Sequence, residues 1–183
     1  MQAREHRFDG SEDIQEILRV ARAFVDEELL PLEELFLKGS FETLAPRLEA
    51  VRDTVREMGL FTPQLYRKDA GTGMPLSAFG QLSEVLGRTP IGHYAFNCQA
   101  PDAGNMELLL EHGDPTQREV YLDPLVAGKH RSCFSMTERN NPGSNPIWMD
   151  TTAVKEGDEW VINGEKWFTS SADGAAFAIV MAI

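Results

Sequence analysis

The sequence is short of cysteine, of positive charge and of long apolar runs. Among 183 residues only Cys98 and Cys133 are cysteines, far apart and each in an apolar setting. They read as buried thiols of a cytoplasmic protein rather than as a disulfide frame. No stretch reaches the roughly 18 consecutive apolar residues that mark a membrane-spanning helix. The first ten residues carry charge and no apolar segment, so they do not form a secretory signal. Seventeen Lys and Arg against 29 Asp and Glu leave a net charge of −12. That balance argues against a broad nucleic-acid surface. It leaves room for local anion binding at a loop or helix N-terminus. His6, His93, His112 and His130 show no paired metal-ligand spacing, so no metal site is assigned. GxSxG is absent, and a serine nucleophile has no support. Gly71-Thr72-Gly73 is only a fragment of a glycine fingerprint, with no P-loop lysine after it, and reads as a turn. Repeats and low-complexity segments are lacking too.

What is present reads as helices followed by strands. The hydrophobic share of 42% suits a globular chain of one domain, or one domain and part of another. Ser11 is a candidate N-cap for a helix carrying Ile14, Ile17, Leu18, Ala21, Phe24 and Val25 at helical spacing, which Pro31 should kink near Leu29-Leu30. After Lys38-Gly39-Ser40, the residues Leu44, Leu48, Val51, Val55 and Met58 step by four and three, and Gly59 stands where a C-cap glycine belongs. Further helices are expected over 77–86, 90–100 and 103–112, and over 115–126 with Asp114 as cap and Pro115 first. The period then changes. Residues 131–136 read as a strand, Gly157-Asp158 as a turn and 160–162 as a strand. Asn163-Gly164 reads as a type I′ hairpin turn with 166–168 returning, and 177–183 as a last, buried-looking strand in need of neighbours. The expectation is an α+β chain, with residues 1–130 helical and 131–183 the start of a β-domain.

Two stretches could carry chemistry. Met136-Thr137 at a strand end offers backbone N–H groups and a hydroxyl, and Gly143-Ser144 lets backbone amides approach a phosphate. Trp167 and Thr169 repeat the pairing of flat ring and hydroxyl. A planar, partly polar cofactor needs such a surface. By local pattern alone, however, the stronger reading makes Thr137 and Ser144 turn residues and Trp167 a core ring. No acidic residue can be named a catalytic base from spacing.

In order, these pieces resemble the acyl-CoA dehydrogenase family over nearly the whole chain. The helical part carries Glu57-Met58-Gly59-Leu60-Phe61, Gly71-Thr72-Gly73, Phe79-Gly80 to Gly87-Arg88, Pro101-Asp102-Ala103-Gly104-Asn105-Met106 and Gln117 to Leu122. The specific signal is Phe134-Ser135-Met136-Thr137-Glu138 with Gly143-Ser144-Asn145, followed by Ile162-Asn163-Gly164 and Lys166-Trp167-Phe168-Thr169-Ser170, similar to the family's two flavin-binding blocks.

The resemblance implies an N-terminal all-α helical bundle followed by the beginning of an antiparallel β-barrel-like middle domain. It implies FAD, with Phe134, Met136 and Thr137 lining the isoalloxazine, Gly143 and Ser144 at the pyrophosphate, Ser144 also at the acyl-CoA, and Trp167 and Thr169 covering the ring's other side. The implied reaction is oxidation of the Cα–Cβ bond of an acyl-CoA, with an α-proton lost and a hydride passed to flavin N5, as in the β-oxidation of fatty acids. Hydrogen bonds at the flavin's N1/O2 edge and at N5 would make it a better acceptor. The implied partners are an electron-transfer flavoprotein and further copies of the chain, as a homodimer or homotetramer.

The chain departs from the family pattern at Arg139, where many members have proline, in the longer loop Asn140-Asn141-Pro142, and at Asn145, which replaces a frequent aspartate. It also corresponds to roughly the first half of such an enzyme. The family's base lies in a later helical bundle, so no catalytic residue is assigned here. Two other readings stay open: a non-catalytic accessory subunit or truncated product, and an acyl-CoA oxidase or flavin monooxygenase of the same fold.

Overall fold

The computed structural model describes residues 14–66, 71–143 and 145–183. The expected cap at Ser11 and the expected site residue Ser144 lie outside the described residues. The chain divides into two compact units, Met1–Ala103 and Gly104–Ile183.

The first unit is helical: α1 (Ile14–Phe24), α2 (Glu33–Lys38), α3 (Phe41–Glu57), α4 (Leu76–Leu86) and the single turn α5 (Gly92–Ala95). The kink expected at Pro31 is spread over two irregular turns. A π-helical turn, Val25–Leu29, is followed by a 3₁₀ turn, Leu30–Leu32. Proline has no N–H and its ring crowds the preceding turn, so the backbone widens ahead of it. Ser40 caps α3 by accepting from the Thr43 N–H at 3.3 Å, and Gly59 ends it with φ +72°. The stepped residues Leu44, Leu48, Val51 and Val55 are buried, as their spacing requires, and Met58 packs at the edge. With Leu18 and Phe24 from α1, Leu29 from the π turn, and Leu82, Val85 and Leu86 from α4 they form one apolar core. Each such leucine stabilises the fold by about 1.5–3 kcal/mol. The helix expected over 90–100 shrinks to α5. Asn97, at φ +55°, has left the helical region, and its side chain is engaged elsewhere.

One cation crosses this core. Arg52 is 2% exposed. Its Nη1 donates to the Tyr94 carbonyl at 2.9 Å and its Nη2 to Asn97 Oδ1 at 3.3 Å. The guanidinium sits 4.5 Å from the Tyr94 ring centre and 5.1 Å from that of Phe61. Asn97 Nδ2 donates onward to Thr62 Oγ1 at 3.0 Å.

The second unit holds most of α6 (Asp102–His112), then α7 (Pro115–Gln117), a π turn Arg118–Leu122, and α8 (Asp123–Val126). Asp114 and Gln117 form a reciprocal capping box around Pro115. A π turn again precedes a proline, Pro124. Four strands follow: β1 (Ser132–Ser135), β2 (Thr152–Glu156), β3 (Glu159–Asn163) and β4 (Phe177–Val180). β1 and β4 are parallel, with Ser132 opposite Phe177, while β2 and β3 are antiparallel, with Val154 opposite Val161. The last residues join the two ladders: Met181 N–H donates to the Ser135 carbonyl, and Ile183 exchanges bonds of 2.8 and 2.9 Å with Ala153 and Thr151.

The structure corrects the expected Asn163-Gly164 hairpin. β2 and β3 already close at Gly157-Asp158, where Gly157 has φ +64°. A type I′ turn needs positive φ at both central residues, and neither Asn163 nor Gly164 has it. Gly164 is small for another reason: a Cβ there would lie 2.7 Å from Thr151 Cα. Residues 166–168 therefore do not return along β3. Both cysteines are buried free thiols, and burial pushes Cys98 up to about 12. Among the described residues no helix is long and apolar enough to cross a membrane.

Candidate functional site

The candidate site forms where the chain leaves β1. β1 is pinned from behind by Asn105 of α6, whose Nδ2 donates to Ser132 Oγ at 2.8 Å and to the Cys133 carbonyl at 3.3 Å. Strand alternation turns Phe134 and Ser135 to opposite faces. Ser135 Oγ lies 3.3 Å from Thr169 Oγ1, so Phe134 sits on the face away from that pair. Beyond the strand, the Trp167 N–H donates to the Thr137 carbonyl at 3.1 Å. The segment that fails to pair with β3 thus runs beside residues 135–137. Residues 136–137 and 167–169 therefore lie side by side. Gly143 joins them: a Cβ there would lie 3.0 Å from Thr137 Cγ2. Trp167 is 39% exposed, and its ring packs 4.6 Å, centre to centre, from that of Phe168. Phe168 is held at φ +53° and is itself open. Trp167 is therefore an accessible ring rather than a core residue.

Two residues that the spacing argument left without a role organise this corner. Glu138 is 6% exposed. Its carboxylate accepts from the Asp150 N–H at 2.5 Å, the Thr151 N–H at 2.9 Å and Asn141 Nδ2 at 2.7 Å. The fourth donor is Lys166 Nζ at 2.9 Å, which also donates to the Met136 carbonyl at 2.8 Å. Hydrogen bonding by Thr151 above all, then by the Asp150 amide and Lys166, outweighs burial and holds the Glu138 carboxyl well below the usual range. One carboxylate thereby fastens three segments: the loop after β1, the approach to β2, and the Trp167 stretch. Neither charge stands out locally, since Arg139 follows Glu138 and Glu165 precedes Lys166. Spacing could not pair Glu138 with Lys166 across an expected hairpin that does not form.

The donor set fits a planar heteroaromatic with polar edges. It offers a ring face at Trp167, hydroxyls at Ser135, Thr137 and Thr169, and a loop whose Gly143 admits close backbone approach.

Comparison with known proteins agrees in both units. Residues 11–129 match the family described as acyl-CoA dehydrogenase, N-terminal domain, and residues 133–183 match acyl-CoA dehydrogenase, middle domain. The chain belongs to the acyl-CoA dehydrogenase family. It is 34% identical over 176 residues to (R)-benzylsuccinyl-CoA dehydrogenase of Thauera aromatica, covering 91% of this chain and 43% of that protein. It is 33% identical over 177 residues to acyl-CoA dehydrogenase family member 11 of Gallus gallus, covering 91% of this chain and 22% of that one. A solved Mycobacterium abscessus structure, described as an acyl-CoA dehydrogenase, matches with TM-score 0.85 and 35% identity over 94% of this chain and 46% of its own. A glutaryl-CoA dehydrogenase from Mycobacterium smegmatis in complex with FADH2 shares the fold with TM-score 0.66 at 23% identity, over 93% of this chain and 42% of its own. The chain thus spans less than half the length of each of these proteins.

Proposed function

We propose that this chain supplies the helical domain and the first flavin-binding strands of an FAD-dependent acyl-CoA dehydrogenase. The observation that carries the reading is the bond from the Trp167 N–H to the Thr137 carbonyl. It draws two separate sequence blocks into one corner in a chain of this family. Met136 and Thr137 would flank the isoalloxazine, Trp167 and Thr169 would cover it, and Gly143 with Ser144 would meet the pyrophosphate; Phe134, on the face of β1 away from the Ser135–Thr169 pair, is left out of that wall. Ser144 would also touch the acyl-CoA. When bound, FAD supplies the two-electron acceptor for oxidation of the Cα–Cβ bond of an acyl thioester. This chain's residues orient the ring, donate to its polar edges and limit water around it. No carboxylate here is assigned the α-proton. Glu138 is fully engaged, and Asp102 accepts from Gln99 Nε2 at 2.5 Å. An electron-transfer flavoprotein as acceptor and a homodimer or homotetramer as the working state complete the proposal.

The test is spectroscopic. Full-length polypeptide should carry a visible flavin spectrum that bleaches when acyl-CoA is added without oxygen. Rapid recovery of colour on admitting oxygen would move the assignment to an oxidase. A polypeptide that binds no flavin would sink the proposal.

A further inference from the structure

We propose that Lys166 is a positioning residue which polarises the Met136–Thr137 peptide, making the Thr137 N–H a stronger donor to the flavin; this rests on the FAD reading above. The side chain of Lys166 is 10% exposed, and its ammonium is placed by two acceptors, the Met136 carbonyl at 2.8 Å and Glu138 Oε1 at 2.9 Å. A trans peptide is planar, so the Thr137 N–H points opposite to the Met136 carbonyl and therefore away from Lys166. A cation on the carbonyl oxygen draws electron density through the conjugated amide and leaves the N–H more positive. Linked hydrogen bonds strengthen one another in this way. The next carbonyl, that of Thr137, is turned to the Trp167 N–H. Two successive carbonyls are thus held by the 166–167 segment, while the amide between them is presented on the other side. Glu138 sets the strength of the effect. It anchors the ammonium through a carboxylate fixed by Asn141, Asp150 and Thr151, and its negative charge partly offsets the cation.

These roles give effects of opposite sign. In the full-length polypeptide, Lys166→Met removes the cation from the carbonyl. It should weaken FAD binding about tenfold, the loss of a charge-assisted contribution of about 1.4 kcal/mol, and it should lower the flavin's midpoint potential. Lys166→Arg keeps the cation and should restore both toward wild type. Glu138→Gln keeps the shape but frees the cation from its counter-charge, and should raise the potential. A purely structural clamp would not reverse the sign between the two sites. FAD dissociation constant, midpoint potential and visible absorbance are measured for each variant. If Lys166→Met does not fold, the raised potential expected of Glu138→Gln decides. Wild type that binds FAD while Glu138→Gln, and Lys166→Met where it folds, keep its potential and affinity overturns this inference alone. Wild type that binds no FAD overturns the flavin reading and this inference together.

Discussion

Arg52 in the helical unit and Glu138 in the strand unit are both buried charges, held in opposite ways. Arg52 is wrapped by the Tyr94 and Phe61 rings, and burial is the leading influence on it, pushing its pKa down. Glu138 is wrapped by donors, and they outweigh burial. The surroundings explain the contrast. The helical unit has a continuous apolar core into which one cation is threaded. On the hairpin of the strand unit, Val154, Trp160 and Ile162 stand more than half exposed, so apolar packing orders it less and directed hydrogen bonds order it more. An interior packed by hydrocarbon tolerates a polar cross-link. A region with little hydrocarbon interior needs one fully satisfied hub.

The largest effect should separate the two kinds of interior directly. Leu48 is 1% exposed in the helical core, while Ile162 is 51% exposed on β3. Leu48→Ala should destabilise the helical unit by about 2–5 kcal/mol, through lost burial and the cavity left behind. Ile162→Ala should change stability by about 0.5 kcal/mol or less. Urea unfolding of each variant measures both. Equal losses would mean that the hairpin is packed against something that its exposure hides.

The same contrast explains what could be read ahead of the structure. The four-and-three stepping of Leu44, Leu48, Val51 and Val55 became a buried face because hydrocarbon burial imposes a period that the chain displays. The β1 strand, the Gly157-Asp158 turn and the Asp114 cap were legible for related local reasons. The hairpin at Asn163-Gly164 was misread because a short turn motif is judged without its neighbour. Only the paired register of β2 and β3 shows that Gly164 yields to Thr151 rather than turning the chain. Of the site, Met136, Thr137, Gly143, Trp167 and Thr169 were visible as residue types suited to a planar ligand. The placement of Phe134 on the other face from Ser135 followed only from strand alternation. Glu138 and Lys166 are 28 residues apart, and nothing local announces such a pairing.

Acid should break the two clusters unequally. The folded pKa of Glu138 is depressed, so its contribution to stability is fully present above the ordinary glutamate value of about 4.3. That contribution is lost progressively as the pH falls below that value toward the folded pKa. Arg52, although shifted down by burial, starts from a value far above this window and stays charged through it. Trp148, Trp160 and Trp167 all lie in the strand unit, so tryptophan fluorescence reports that unit while far-ultraviolet circular dichroism is dominated by the helices. Lowering the pH from 5 to about 2 should shift the fluorescence ahead of the helical signal. Coincident transitions would show that the Glu138 hub does not set the acid stability of its unit.

The two units also differ in what their glycines do for the backbone, with smaller consequences for stability. Gly80 lies within α4, is exposed, and an added Cβ would meet nothing within 4 Å. Gly157 also has open space around it, but its φ of +64° is a conformation that side chains disfavour. Space is therefore equal and conformation decides. Gly80→Ala restricts the unfolded chain and suits the helix, and should stabilise the helical unit by about 0.5–1 kcal/mol. Gly157→Ala forces a residue with a Cβ into the left-handed region and should destabilise the strand unit by about 1–2 kcal/mol. Thermal unfolding followed by circular dichroism for Gly80→Ala, and by tryptophan fluorescence for Gly157→Ala, reads the two signs separately. If both substitutions stabilised, the Gly157-Asp158 turn would not require positive φ, and the register that places Gly164 against Thr151 would have to be held by the Glu138 hub alone.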